Sequence, residues 1–255
     1  MRTINRRFFL LSAAVFPVGC AVSRRSAGLA EPVRDLRPPV AGQSWRYAKH
    51  DVFTGSVVDT QVDQVASVGR TVNIDSHTEG SASSAKKSSS SWGMSWLHQY
   101  VDPARPGAEL PSEVQAPWGM VLVDPHWSHV QVFEKPVPLW PRQFQPGWSM
   151  HIETQYKTAD GGGGLPWDQT MKAEDWETIT VPAGRFRALR YINLINFRAS
   201  DPNRRDSVRR ETIWFAPEVG RWVARESLGS FYVDDSVSDQ PYNESGYRWE
   251  LLQWT

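Results

Sequence analysis

The run Asp124-Pro125-His126-Trp127-Ser128-His129 is the chain's most compact set of metal-ligating side chains. Two histidines three apart can converge at a turn, and Asp124 would add an oxygen, a donor set suited to zinc or a similar cation. On a strand, however, positions three apart face opposite sides. The histidines at 50, 77, 98 and 151 supply no third nitrogen at ligand spacing. Turn histidines are therefore the preferred reading of Asp124, His126 and His129, and no metal or other cofactor is expected. Nucleophilic catalysis has less to build on, because the chain lacks a Gly-x-Ser-x-Gly elbow. The neighbouring acids Glu174-Asp175 and Asp234-Asp235 point to opposite faces of a strand. Glycoside hydrolysis needs two carboxyls about 5–10 Å apart across one cleft. Gly161 to Gly164 lacks the lysine and helix of a phosphate loop. No catalytic residue is assigned, and an exported hydrolase or metal-dependent enzyme is kept as an alternative.

Cys20, the only cysteine among 255 residues, carries the clearest chemistry. It follows a basic start and an apolar run over 8–19, which has the layout of a secretory signal. A membrane-spanning helix needs about 20 residues, so this run is too short to stay as one. A thiol directly after Gly19 resembles the lipobox of bacterial lipoproteins, in which the cysteine is acylated and becomes the first mature residue. Several acyl chains, at about 0.8 kcal/mol per CH₂, would hold the protein where one would not. An ordinary cleaved signal ending at Gly28-Leu29-Ala30 is the alternative. Arg6 and Arg7, with Phe9-Leu10 after them, resemble the twin-arginine export motif read by a receptor for folded cargo. By the same resemblance Ala21 suits sorting to the outer membrane, with the domain facing the periplasm.

Removing residues 1–19 takes three arginines and no acid, so the mature chain has a net charge of −3. That balance offers nothing to nucleic acid. A mature chain with one lipidated cysteine has no internal disulfide, and its stability rests on burial. Thirteen tryptophans, spread from Trp45 to Trp254, read first as packing and second as glycan-stacking platforms.

The elements that would position these residues are strands. After a Pro-rich tether over 20–39, β-branched and polar residues alternate over 57–65 and 71–75. Strands are also expected at 42–47, 119–123, 130–133, 148–158, 176–181, 186–196, 209–215, 221–227 and 247–254. Turn chemistry separates them at Asp160 with four glycines, Pro182-Ala183-Gly184, Asp201-Pro202-Asn203 and 216–220. Residues 80–91 read as a polar loop, 102–117 as irregular, and 136–141 as a stiff connector and weak sub-boundary. Gly42-x-x-Trp45-x-Tyr47 and Gly147-x-x-Met150-x-Ile152 each follow prolines and open a strand series, the pattern of a diverged two-fold repeat. The fold class is mainly β, a curved antiparallel sheet or half-open β-barrel, forming one domain over 40–255.

Trp176-Glu177-Thr178-Ile179-Thr180-Val181-Pro182-Ala183-Gly184-Arg185-Phe186 resembles the V-P-A-G-x-F hairpin of uncharacterised bacterial periplasmic proteins and lipoproteins. Ile213-Trp214-Phe215-Ala216-Pro217-Glu218-Val219-Gly220-Arg221-Trp222-Val223 matches their downstream W-(Y/F)-A-P-x-V-G-x-(V/P)-V element. The likeness covers about residues 145–230. It implies curved antiparallel sheets and brings no established activity or catalytic residues. Period-two spacing further predicts that Phe186, Ala188, Ile192 and Leu194 line one concave face, under a cover formed by residues 100–118. Arginines at 185, 187, 190, 198, 204, 205, 209 and 210 form a stripe expected to pair with Glu211, Glu226 and nearby acids. The expected function is that of a non-enzymatic, outer-membrane-anchored lipoprotein. Its partners would be the membrane, through its lipid, and an apolar or amphiphilic envelope component or an envelope protein. A carbohydrate-binding module using exposed tryptophans is a further alternative.

Overall fold

Alternation at period two becomes strands throughout the computed structural model, which describes residues 36–78, 112–127, 129–158, 163–233 and 240–255. Cys20, Arg6 and Arg7 lie outside the described residues. β1 (Ser44–Asp51), β2 (Val57–Val68), β3 (Val72–Thr78), β4 (Glu113–Gln115), β5 (Met120–Asp124) and β6 (Gln131–Pro138) pair in order, each antiparallel to the last. β7 (Ser149–Thr158), β8 (Leu165–Val181), β9 (Gly184–Phe197), β10 (Arg204–Ala216) and β11 (Arg221–Val233) continue the series. β13 (Tyr247–Trp254) then pairs with both β11 and β1, so the sheet closes into a ring. The two-residue β12 (Tyr242–Asn243) adds to the end of β11, leaving twelve strands in a closed antiparallel barrel. Closure removes the sheet edges that a half-open form would expose.

The outer wall suits water rather than lipid. Ser149, His151, Glu153, Gln155 and Lys157 are all exposed along β7, whereas a membrane barrel turns its apolar residues outward. A lumen of twelve strands is wide, and large side chains of the described residues pack in two buried clusters. At one end Trp45, Trp140, Phe144, Met171, Tyr191 and Phe215 share a single buried cluster. Trp140 and Phe144 come from the β6–β7 connector over 139–148 and pack on Phe215 at 5.1 and 5.0 Å between ring centroids. A second cluster holds Phe133, Tyr156, Trp167, Ile195 and Phe197. Of the thirteen tryptophans, all but Trp92 and Trp96 are described, and every described one is buried or packed against these clusters. The packing reading therefore holds for them, and none forms an exposed platform.

The two halves of the ring open in the same way. Gly42 and Gly147 both have φ of 86°, in the left-handed region that only glycine adopts readily. Gly42 N donates to Val65 O, and Val65 N donates to Gln43 O; Gly147 N donates to Ala173 O, and Ala173 N donates to Trp148 O. Ala116-Pro117 before β5 and Ala216-Pro217 before β11 each lead to a glycine with positive φ, Gly119 or Gly220. The halves β1–β6 and β7–β13 are thus two copies of one plan. In this correspondence Asp63 stands opposite Met171, Glu113 opposite Ile213, and Met120 opposite Arg221.

Strand direction gives the barrel two unlike ends. Arg37 N donates to Pro217 O at 3.1 Å, and its guanidinium lies 5.0 Å from the Trp254 ring, so the chain enters beside the β10–β11 turn. This entry end carries the turns 69–71, 116–119, 182–183 and 217–220. At the opposite, far end β3 stops at Thr78 and β4 starts at Glu113, and β11 stops at Val233 and β13 starts at Tyr247.

Some expected boundaries move. Pro136 and Pro138 lie within β6 rather than in a connector, and β4 falls inside the stretch read as irregular. β8 begins at Leu165, well before the expected 176. Residues 112–118 contribute β4 and the turn after it, so they form barrel wall rather than a loop cover; 100–111 lie outside the described residues.

Candidate functional site

The four residues expected on one concave face are divided between surroundings. Phe186 and Ala188 are buried in the entry-end cluster, Ile192 is half-buried, and Leu194 is exposed. Ala188 and Leu189 are both fully buried, and beyond them the buried positions are Tyr191, Asn193, Ile195 and Phe197. β9 changes the face it buries at this step because the hairpin leaves the plain ladder. β8 has a bulge between Ala173 and Trp176, and past it Ala183 N donates to Leu251 O while the Trp214 indole donates to Glu177. The hairpin tip is thus covered by β13 and β10. A single apolar site over Phe186, Ala188, Ile192 and Leu194 is not present.

Polar residues instead meet across the lumen. Arg221 begins β11, yet its Nη2 lies 2.9 Å from Asp63 Oδ2 on β2 and 3.4 Å from Glu113 Oε2 on β4. None of these strands is adjacent to β11, so the contact crosses the interior. All three side chains are almost wholly buried. Gln61 Nε2 and Ser76 Oγ donate to Asp63 Oδ1 at 2.7 and 2.8 Å, and the Trp249 indole donates to Gln61. Burial opposes the Asp63 charge, but Arg221 and then His126 keep its pKa below the usual range. Burial likewise opposes the Arg221 charge, and Glu113 and Asp63 raise its pKa instead. A second pair, half-buried Arg225 with buried Glu211, is joined by Asn193.

Asp124 and His126 extend this belt to the far end, at the β5–β6 loop. His126 Nδ1 is 2.9 Å from Asp124 Oδ1 and 3.4 Å from Glu113 Oε2, and Nε2 is 2.9 Å from Ser76 Oγ. Burial would lower the imidazole pKa, but the hydrogen bond and charge of Asp124, with Glu113 and Asp63 behind, hold it at about 9. Burial would raise that of Asp124, which the His126 ring, the His126 amide and Arg225 bring down to about 2. The Asp124 carboxylate also accepts from the Trp127 indole at 2.9 Å. His129 turns away, its Nδ1 2.9 Å from Ser200 Oγ. Asp124 and His126 do converge, then, but as an ion pair without His129. Another mixed cluster, His151, Glu153 and Asp168, lies on the exposed outer wall of β7 and β8. Glu153 and Asp168 also border an open outer groove of about 810 Å³.

At the far end a recess of about 220 Å³ opens between the β5–β6 loop, the β9–β10 turn and β10. His126 and His129 both border it. Arg209 donates through Nε and Nη2 to Glu244 Oε2 at 3.3 and 2.8 Å, and Arg204 Nη1 approaches Glu244 Oε1 at 3.5 Å. Within the arginine stripe Arg190 pairs with Glu174, and Arg204 and Arg209 pair with a nearby acid, Glu244, rather than with Glu211 or Glu226. Glu211 holds Arg225, Glu226 holds Arg248, and Glu244 takes Arg204 and Arg209.

Asp63 and Glu113 carry no motif, Arg221 falls at a variable position of the 213–223 match, and the sequence reading missed all three. The available signal was parity: Asp63 shares its face with Val65, whereas Val62 lies on the other.

No protein-family model and no curated protein matches the chain. Among solved structures, an exported protein of YmcC-like fold from Bacteroides fragilis, so described with reservation, is 12% identical. The match covers 87% of this chain and 99% of that one, at a TM-score of 0.49. A Parabacteroides distasonis protein described with the same reservation as a lipoprotein is 13% identical over 87% of this chain and 100% of its own, at 0.47. The hypothetical lipoprotein YmcC of Escherichia coli is 7% identical over 85% and 90%, at 0.39.

Proposed function

We propose that this chain is a lipoprotein of the bacterial cell envelope, held by acyl chains on Cys20, that binds a ligand or partner rather than transforming one. Arg6 and Arg7 direct its export through the folded-protein route, and Ala21 sends it to the outer membrane, facing the periplasm. The observation that carries the binding reading is the unlikeness of the two barrel ends. The chain enters at Arg37 beside the end closed by short turns and apolar packing, while the charged β5–β6 loop and the recess lie at the other. Function concentrates on loops held by a rigid scaffold, which points to the far end as the binding face. The division of Phe186, Ala188, Ile192 and Leu194 between buried and exposed surroundings argues against an apolar site over these four and favours this end. The buried charges are committed to one another as ion pairs, which suits positioning of the loops better than acid–base turnover.

The anchor is tested by Cys20→Ser. The variant should leave the membrane fraction and lose the mass of its acyl chains. Retention in the membrane with unchanged mass would overturn the lipoprotein reading. Lys-Lys in place of Arg6-Arg7 should block export, and normal export of that variant would exclude the twin-arginine route.

A further inference from the structure

We infer that the free edge of β7 takes up an extended polypeptide strand whose side chains alternate between basic and apolar, adding it to the barrel wall. This surface lies on the side of the barrel and does not depend on the far end. The ring is continuous, but β6 and β7 pair only from Gln131 with Thr158 to Phe133 with Tyr156. Towards the entry end the two strands part, because the chain leaves β6 inward and places Trp140 and Phe144 in the buried cluster. Gln169 Nε2 donates to Pro138 O at 2.8 Å and the Tyr191 hydroxyl donates to Leu139 O, which holds that inward course. Where the gap begins, Lys135 N donates to the Thr154 hydroxyl at 3.1 Å, a side-chain contact in place of a ladder. The backbone of Ser149 to Thr154 therefore pairs with β8 alone among the described residues. A row of amides and carbonyls without a neighbouring strand is a template for one.

The inward side chains register the same missing neighbour. Met150 and Ile152 stand opposite Met171 and Gln169 across the β7–β8 ladder, so the four share a face. Met171 and Gln169 are buried, whereas Met150 and Ile152 are only half-buried. β8 has a strand on each side at this level, and β7 has one on one side. Apolar side chains on an added strand would complete the burial of Met150 and Ile152.

Charge selects the outward half of the pattern. Glu153 stands directly opposite Asp168, an unfavourable like-charge pair, and the His151 imidazole lies 3.3 Å from one and 3.8 Å from the other. The outer groove of about 810 Å³ beside them is lined by four acids, Glu134, Glu153, Asp168 and Asp206, against Lys135 and Arg198. Basic side chains on the outward face of an incoming strand meet this excess. In such strand addition the main chain supplies affinity, and alternate side chains supply selectivity. A second copy of β7 fits the edge poorly, because it brings another Glu153 and its one lysine, Lys157, lies where β7 is already paired with β6.

The test titrates the mature chain carrying Cys20→Ser with labelled peptides, read by fluorescence anisotropy. The probes are Lys-Val-Lys-Val-Lys-Val-Lys, its Glu-Val counterpart, and a Lys-Lys-Lys-Lys-Val-Val-Val block of the same composition as the first. The alternating basic peptide should bind saturably and at least tenfold more tightly than either other. Its binding should slow hydrogen exchange of amides within 149–154, which attraction between charges alone would not do. Glu153→Lys, at a side chain 78% exposed, should keep the parent's urea midpoint, weaken the basic peptide tenfold or more and favour the Glu-Val peptide. No saturable binding, equal binding of the block peptide, binding unchanged in Glu153→Lys, or unchanged exchange at 149–154 would overturn the inference. A mature chain found dimeric through β7, its dimer lost in Glu153→Lys, would also overturn it by giving the edge another occupant. The anchoring and export tests would be unaffected by such a failure, so the two proposals fail separately.

Discussion

The two halves of the barrel share one backbone plan but fill corresponding inward positions with opposite chemistry. In the first half Asp63 and Glu113 are carboxylates; their counterparts in the second are Met171 and Ile213, both buried. The second half in turn supplies Arg221, where the first has Met120. One site of the pseudo-symmetric pair is thus an ion triad crossing the lumen, and the other is apolar. Both arrangements fold, so the ladder and turns, not the identity of these side chains, set the barrel. The ionic version ties strands from different halves together and anchors the loop that bears His126.

Breaking the triad at one member should have the largest effect. Arg221→Met leaves Asp63 and Glu113 buried without their cation and should cost about 3–5 kcal/mol, read from urea unfolding. A loss below about 1 kcal/mol would mean that water already reaches the carboxylates. Making the ionic site like its counterpart, with Asp63→Met, Glu113→Ile and Arg221→Met together, should restore that loss and add roughly 0–4 kcal/mol over the parent. A triple variant no more stable than Arg221→Met would show that the two sites are not equivalent in shape.

A smaller effect is expected where the belt reaches solvent. His126 has a folded pKa of about 9 against an ordinary 6.5, so its contribution is complete below 6.5 and lost as pH rises through 9. Asp124 has a folded pKa of about 2 against 3.8, so its contribution is complete above 3.8 and lost as pH falls through 2. Stability from the pair should plateau between 3.8 and 6.5 and decline on both sides. The His126 side chain is 24% exposed, so the alkaline decline should be only on the order of 1 kcal/mol. His126→Gln should flatten that limb of the urea-midpoint profile, and an equally steep decline in the variant would remove His126 as its cause. The smallest change belongs to the β1–β2 tip, where Phe53 is 70% exposed. Phe53→Ser should alter stability by less than about 0.5 kcal/mol, and a larger loss would reveal packing that its exposure does not show.

Local chemistry in the sequence carried the β class, most turns and the repeat. Val57 to Val65 alternates, Pro182-Ala183-Gly184 turns a hairpin, and Gly42 and Gly147 stand at matching strand starts because both need positive φ. The resemblance at 176–189 and 213–223 covered a hairpin and a turn that pack the entry end, and it passed through Arg221 only at a variable position. Asp124 and His126 were legible as a pair because they lie two residues apart. Closure of the ring, by contrast, depends on β13 finding both β1 and β11, a pairing between the ends of the chain that no local pattern specifies. Strand parity was legible only until a bulge intervened: beyond Ala173 the hairpin is covered on its other side, which separates Phe186 and Ala188 from Ile192 and Leu194. Asp63, Glu113 and Arg221 are distant in sequence and look like surface residues one at a time. Only the tertiary fold brings them together, because a charge can be buried when its counter-charge arrives from across the lumen, and closure decides which strands face each other there.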